Sequence, residues 1–121
     1  MKRVYLLCLG LLLCGCAGGK STDSWIAQTQ AADPSLRLEA VRALTERRSE
    51  AAAVVPALVK SLGDSDAAVR RAAAQAVGNM GADAKAAVPG LLTLLEDRNT
   101  SVRKVAALAL KRIDPERAAK R

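Results

Sequence analysis

The sequence predicts an all-α fold, a short α-solenoid of about three antiparallel helix pairs in which the first pair is degenerate. Self-similarity is the first observation, because shifting the chain by 33 residues superimposes three segments. The second is the spacing of apolar residues, which follows one face of an α-helix in each segment. The third is composition: 50% of the 121 residues are hydrophobic, yet Phe is absent and aromatics make up 2%. This balance favours packed helices over a β-sandwich.

The N-terminal segment has the pattern of an export signal. A cationic start precedes an apolar run over residues 4–13, which is shorter than the roughly 20 residues needed to span a bilayer. The following segment, Leu13-Cys14-Gly15-Cys16, resembles the lipobox of bacterial lipoproteins. The resemblance implies cleavage before Cys16 and a diacylglyceryl group on that cysteine, which makes residues 1–15 a lipoprotein signal peptide. An ordinary secretory signal cleaved near Ala17 and an uncleaved anchor helix are the alternatives.

Lipidation of Cys16 would tether the rest of the chain to a membrane, because two or three acyl chains anchor a protein stably. Residues 16–22 are small and polar, as in a flexible tether. Ala17 stands where an aspartate would signal retention at the inner membrane, so the resemblance favours the outer membrane, facing the periplasm. Cys8 and Cys14 would leave with the signal peptide, and no disulfide is expected in the mature domain.

The repeat domain is predicted over residues 23–116, with units at 23–50, 51–83 and 84–116. Between the second and third units, twelve of the 33 positions carry the same residue. The second helix of unit two has an apolar stripe at positions i, i+4, i+7, i+8 and i+11, formed by Val69, Ala73, Ala76, Val77 and Met80. One helix pair cannot bury such a stripe alone, so the units are expected to stack. Asp114-Pro115 is predicted to stop the last helix, which leaves residues 117–121 as a basic tail.

Polar residues mark where the helices begin. The second helix of each unit is predicted to start after an N-cap residue in one repeat column, namely Asp33, Asp66 and Asn99. The first helices are predicted over residues 53–62 and 86–96, with Pro56 and Pro89 in the first turn, where no backbone N–H is needed. Unit one has lost most of this first-helix pattern, as expected of an end cap. Its Trp25 aligns with Leu58 and Leu91 and is predicted to be a core residue, the alternative being an exposed anchor for a partner.

Three sequence patterns repeat in register: Val-Pro-x-Leu, then Leu-x-Asp, then Val-Arg-x-x-Ala-x-x-Ala-Leu. Together they resemble the HEAT family, in particular the HEAT-like repeats of phycobilisome lyases. The resemblance implies a structural ladder in which an arginine of the second helix meets an aspartate of an inter-helix turn, here formed by Arg37, Asp64, Arg70, Asp97 and Arg103. Ala31 stands where the aspartate of unit one belongs, so that rung is expected to be incomplete. The alternative is that the arginine column clasps a phosphate or carboxylate.

The second helices should also form the inner face of the stack. Their outward positions combine basic and apolar side chains: Leu38, Arg42, Arg71, Gln75, Lys104, Leu108 and Lys111, with Thr45 and Gly78 in the same columns. We call these seven residues the binding strip. It is the expected site for a partner protein, and the alternative is an ordinary solvated face.

The sequence favours binding over catalysis. It contains no His, and no Ser, Lys or carboxylate pair forms a recognisable acid–base or nucleophile arrangement. No metal site, cofactor or small-molecule substrate is expected. The net charge is +7, but acids are interspersed with the basic residues and no aromatic platform accompanies them, so nucleic-acid binding is not expected.

The leading hypothesis is a membrane-anchored, non-catalytic scaffold that recruits another protein of the bacterial cell envelope. Two alternatives stay open. One is a lyase-like chromophore-attachment factor, and the other is a structural envelope spacer whose basic residues rest on anionic headgroups.

Overall fold

The computed structural model of the protein describes residues 19–120. The predicted signal peptide, the lipobox and Cys16 therefore lie outside the described residues, as does most of the predicted tether. Within residues 19–120, no helix is both long and apolar enough to cross a membrane.

The described residues form helices and turns, without a strand, and the predicted all-α solenoid is confirmed. Short 3₁₀ helices, Arg48–Glu50 and Gly81–Ala87, precede the first helices of units two and three. The α-helices are α1 Thr22–Gln28, α2 Pro34–Thr45, α3 Ala51–Ser61, α4 Ala67–Met80, α5 Val88–Leu94, α6 Thr100–Ile113 and α7 Pro115–Ala119.

The helices stack as three pairs around one continuous core. Each pair is antiparallel, α1 with α2, α3 with α4 and α5 with α6, and the second helices α2, α4 and α6 form a row through direct packing. The largest fully buried side chains lie in the repeat columns and include Leu44, Leu58, Val69, Leu91 and Val102. Burial of these apolar surfaces against neighbouring units is the main stabilising contribution.

The predicted N-caps of the second helices are present. The side chains of Asp33, Asp66 and Asn99 accept hydrogen bonds from the backbone N–H two residues later, at 2.8, 2.8 and 2.9 Å. Each cap satisfies an N–H that has no partner within the helix. Pro34 follows Asp33 in the first turn of α2.

The first helices differ from their predicted bounds. Helix α3 begins at Ala51, two residues earlier than expected, so Pro56 lies inside the helix and its predicted place in the first turn is wrong. Pro56 is exposed, as is Ala52, whose carbonyl loses its helical donor, and water can therefore reach that carbonyl. Pro89 does lie in the first turn of the shorter helix α5.

The two ends of the domain also shift. Helix α1 starts at Thr22, inside the segment predicted as tether, because Ser21 accepts a hydrogen bond from the backbone of Ser24 and caps it. At the other end, Asp114 terminates α6 and caps α7 by accepting from the backbone of Arg117. Residues 117–119 of the predicted basic tail are therefore helical.

Candidate interaction surface

An arginine–aspartate ladder joins successive units along one side of the stack. In the first rung, Arg37 Nε and Nη2 donate to the two carboxylate oxygens of Asp64 at 2.8 and 3.0 Å. In the second rung, Arg70 makes the same bidentate pair with Asp97 at 2.8 and 3.1 Å. The pairs are mostly buried, and a planar guanidinium fork fits a carboxylate at both oxygens. The ladder therefore fixes how each unit sits on the next.

The remaining guanidinium nitrogen of Arg37 and of Arg70, Nη1, donates to backbone carbonyls of its own unit. Arg37 Nη1 donates to the carbonyls of Ala31 and Ala32 at 2.9 and 2.8 Å. Arg70 Nη1 donates to the carbonyls of Asp64 and Ser65 at 2.8 and 3.0 Å. Each guanidinium thus crosslinks the turn of its own unit to the turn of the following one.

The ladder perturbs the ionisation of its members. The hydrogen bond from Arg70 lowers the pKa of the Asp97 carboxyl below its ordinary value against the opposing effect of burial. Burial alone would raise the pKa of Asp64, but hydrogen bonds from Arg37 and the Asp66 backbone outweigh it and leave that pKa lowered. Both carboxylates therefore stay ionised at neutral pH.

The expectation of an incomplete rung in unit one is wrong. Each arginine takes its aspartate from the following unit, so Arg37 is satisfied by Asp64 although Ala31 occupies the aspartate column. The backbone carbonyl of Ala31 accepts a hydrogen bond from Arg37, just as the carbonyl of Asp64 accepts one from Arg70. The unit without a carboxylate partner is unit three, whose Arg103 forms no ion pair with any residue of 19–120.

Most of the binding strip is exposed on the row of second helices. Arg42, Arg71, Gln75, Lys104, Leu108 and Lys111 are exposed, and Leu108 shows 56% of its surface to solvent. Leu38 differs from the expectation, since it is half-buried and packs against the core. Gly78 is buried, because α4 and α6 approach closely there: a Cβ at this position would lie 3.1 Å from Ala109.

Two shallow grooves run between the second helices. The groove between α2 and α4 encloses about 250 Å³ and is lined by Arg42, Glu46, Arg71, Gln75 and Asn79, among others. The groove between α4 and α6 encloses about 240 Å³, shares Arg71 and Gln75, and adds Val105, Leu108 and Arg112. The surface is therefore basic and polar at one groove, and more apolar around Leu108 at the other.

Two residues of this surface were missed by the sequence prediction. Arg112 Nη1 donates to Asn79 Oδ1 at 3.0 Å and links α6 to α4 beside the strip. With Glu46 these residues form one column of the 33-residue repeat. Extending the outward columns by one position along each helix would have found them.

Trp25 lies between its two predicted environments. Its ring packs against the core but is only partly buried, unlike the fully buried Leu58 and Leu91 in the same column. The Lys20 ammonium lies 4.6 Å from the ring centroid, in cation–π range. Trp25 is therefore a core residue of unit one that remains partly exposed.

Comparison with known proteins identifies the family to which the chain belongs. It has no match among curated proteins. Among solved structures, it is similar to the complex of CpcE and CpcF of phycocyanin lyase from Nostoc sp. PCC7120, with a TM-score of 0.74 and 34% sequence identity. The match covers 84% of this chain but 40% of the other, so the chain spans less than half of that protein's length. The family model for HEAT repeats matches residues 22–111, and the chain therefore belongs to the HEAT-repeat family.

Proposed function

We propose that this HEAT-repeat protein is a lipid-anchored, non-catalytic scaffold that binds another protein of the bacterial cell envelope. The observation that carries the proposal is the binding strip: six of its seven residues are exposed together on one row of helices. Four of them, Arg42, Arg71, Gln75 and Leu108, line two grooves between the second helices. A row of exposed side chains on stacked repeats is the usual recognition surface of a solenoid.

The chemistry of the strip defines the partner that would fit. Arg42 and Arg71 line one groove with a single acid, Glu46, and Arg112 lines the other groove beside Leu108. A partner segment with carboxylates and one apolar side chain would complement this surface. Exposed charges mainly steer association and select partners, whereas a buried apolar contact supplies affinity.

The ladder favours tight binding because it braces the surface before a partner arrives. The two bidentate pairs lock three units together, so little conformational entropy is lost when a partner binds. The anchor predicted at Cys16 would add to this by confining the scaffold to a membrane, which raises its effective concentration toward other envelope proteins.

Photocrosslinking of the full chain in the membranes of producing cells tests the proposal. A photoreactive amino acid replaces Gln75, which lines both grooves, and Leu108→Asp is combined with it. We expect a defined crosslinked envelope protein whose yield falls about tenfold or more with Leu108→Asp, since an apolar contact is replaced by a charge.

Leu36→Asp is the matched control, because Leu36 is also exposed, at 44%, and lines neither groove. It should leave the crosslink unchanged. Absence of any crosslinked protein from position 75, or equal losses in the two variants, would contradict the proposed strip. Release of the chain by Cys16→Ala is the expected outcome for the anchor, and a Cys16→Ala chain that stays in the membrane fraction would contradict lipidation there.

A second candidate, a chromophore-attachment factor, is favoured by one observation, the similarity to a complex of phycocyanin lyase. The two grooves of the binding strip are small for this role, because 240 to 250 Å³ is below the roughly 300–1,000 Å³ of ordinary small-molecule sites. A cleft of about 400 Å³ beside α7, lined by Leu92, Arg117 and Lys120 among others, does reach that range. Titration of the purified chain with a bilin tests it through the absorption spectrum. A saturable spectral shift would support this candidate, and an unchanged spectrum would end it.

A further inference from the structure

Within residues 19–120 no further helix pair follows unit three, and the surface that such a pair covers on unit two is only partly covered on unit three. In unit two, Leu62 and Ala74 are buried beneath unit three, and a Cβ at Gly90 would lie 2.9 Å from Leu62 Cδ1. Their counterparts 33 residues later, Leu95 and Ala107, are partly exposed. We call the partly exposed residues Leu92, Leu95, Arg103 and Ala107 the end face.

Helix α7 covers the end face only in part. It packs on α6, and its Ala118 lies near Leu95 and Ala107 across a gap of about 150 Å³. Its capping carboxylate, Asp114, is 3.5 Å from Arg117 of the same helix. Helix α7 therefore adds apolar cover but supplies no carboxylate to Arg103.

Arg103 binds the carbonyls of its own turn as the other two ladder arginines do, but it has no carboxylate partner within the described part of the chain. Its Nη1 donates to the carbonyls of Asp97 and Arg98 at 2.6 and 3.2 Å, as Arg37 and Arg70 do in their own turns. Its Nη2 donates to Thr100 Oγ1 at 3.0 Å, and its Nε has no acceptor among residues 19–120. In both other units the Nε and Nη2 atoms of the ladder arginine bind an aspartate, but no aspartate binds these atoms of Arg103 among residues 19–120.

We infer that the end face docks a helix pair of a second, HEAT-type protein, whose inter-helix turn places an aspartate on Arg103. The repeat geometry defines this occupant: both earlier arginines receive an aspartate from the following unit, together with apolar cover from its helices. A second copy of this chain does not fit, because Ala31 occupies its aspartate column at the N-terminal end. The inference goes beyond the proposed function, since it concerns another surface and identifies the partner by its fold.

Photocrosslinking from the end face tests this in the full chain in native membranes. A photoreactive amino acid replaces Ala107, and a control chain carries it in place of the exposed Ala52 on α3. We expect crosslinking from position 107 to a helix-pair segment of another protein with an aspartate in its turn, and none of that product from position 52. A product with a second copy, a segment without such a turn, or no product would overturn the inference.

Arg103→Gln then measures the role of the guanidinium in a titration against the purified crosslinked partner. Loss of a carboxylate pair at a docked surface should weaken the apparent affinity by about thirtyfold. Arg98→Gln is the control, because it removes the same charge at an exposed neighbouring position, and it should change the affinity by less than about threefold. Equal effects of the two variants would overturn the assignment to Arg103.

Two further measurements keep this test decisive. Circular dichroism shows whether Arg103→Gln remains folded, since its Nη1 also binds two carbonyls of its own turn. The reciprocal Asp→Asn change in the partner's turn leaves this chain intact and should produce a similar loss. An unchanged affinity in that reciprocal variant would overturn the proposed pair. Leu108→Asp separates the two proposals, because it should remove the crosslink from position 75 and leave the crosslink from position 107.

Discussion

Leu58→Ala is the substitution whose cost the structure defines best. Leu58 is 0% exposed and lies in the continuous core of the stack. The change removes three carbon atoms from a site closed on all sides, so both the lost burial and the remaining cavity contribute. We expect a loss of about 3 to 4 kcal/mol in the free energy of unfolding. For a domain of this size the melting temperature should fall by about 15 °C or more.

The same substitution at Leu108 is the control, because Leu108 is 56% exposed on the binding strip. Leu108→Ala should change the unfolding free energy by less than about 1 kcal/mol. The assay is urea and thermal unfolding of the detergent-solubilised chain, followed by circular dichroism. Similar losses at the two positions, or a change in the urea dependence that accounts for the shift at Leu58, would refute the assignment of Leu58 to the core.

Two further predictions concern the ladder and the caps. Asp97→Asn should lower the melting temperature at pH 7, whereas Asp83→Asn, at an exposed carboxylate, should not. The pKa of Asp97 is lowered in the folded protein, so its contribution is full above the unfolded value of about 3.9 and is lost as pH falls through the folded pKa. The difference between Asp97→Asn and the parent should therefore shrink below about pH 4, and a constant difference down to pH 2 would contradict the ion pair. Asn99→Ala should cost about 1 kcal/mol in urea unfolding, because two backbone N–H groups of α6 lose their acceptor. Ser101→Ala is the control at an exposed neighbouring position, since it leaves that cap in place, and equal costs would argue against the cap.

The core and the second helices could be predicted because their signals are local. The stripe from Val69 to Met80 and the cap at Asp66 depend on spacing within one helix, and both hold in the structure. The start of α3 could not be predicted in the same way. Pro56 suggested a helix N-terminus, but a 3₁₀ helix leads into α3 earlier, and water can reach the carbonyl of Ala52 that lacks a donor because both residues are exposed.

Local sequence patterns also could not predict which unit supplies the aspartate to each ladder arginine. The column alignment showed which arginines and aspartates repeat, but it could not show that Arg37 reaches forward to Asp64 instead of pairing within its own unit. That choice depends on how far one unit is displaced relative to the next. The burial of Gly78 and the half-burial of Leu38 follow from the same displacement, because it decides which outward positions a neighbouring helix covers.

The sequence by itself determined the repeat length, the core columns, the helix caps and the HEAT-type fold, because each depends on residue type at a fixed spacing. It also supplies the prediction of lipidation at Cys16. Only the tertiary structure decided which side chains remain accessible, that the two grooves flank Gln75, and that Arg103 is the one ladder arginine without an aspartate among residues 19–120. The physical reason is that accessibility and pairing between units depend on the distances between helices, which arise when the units stack.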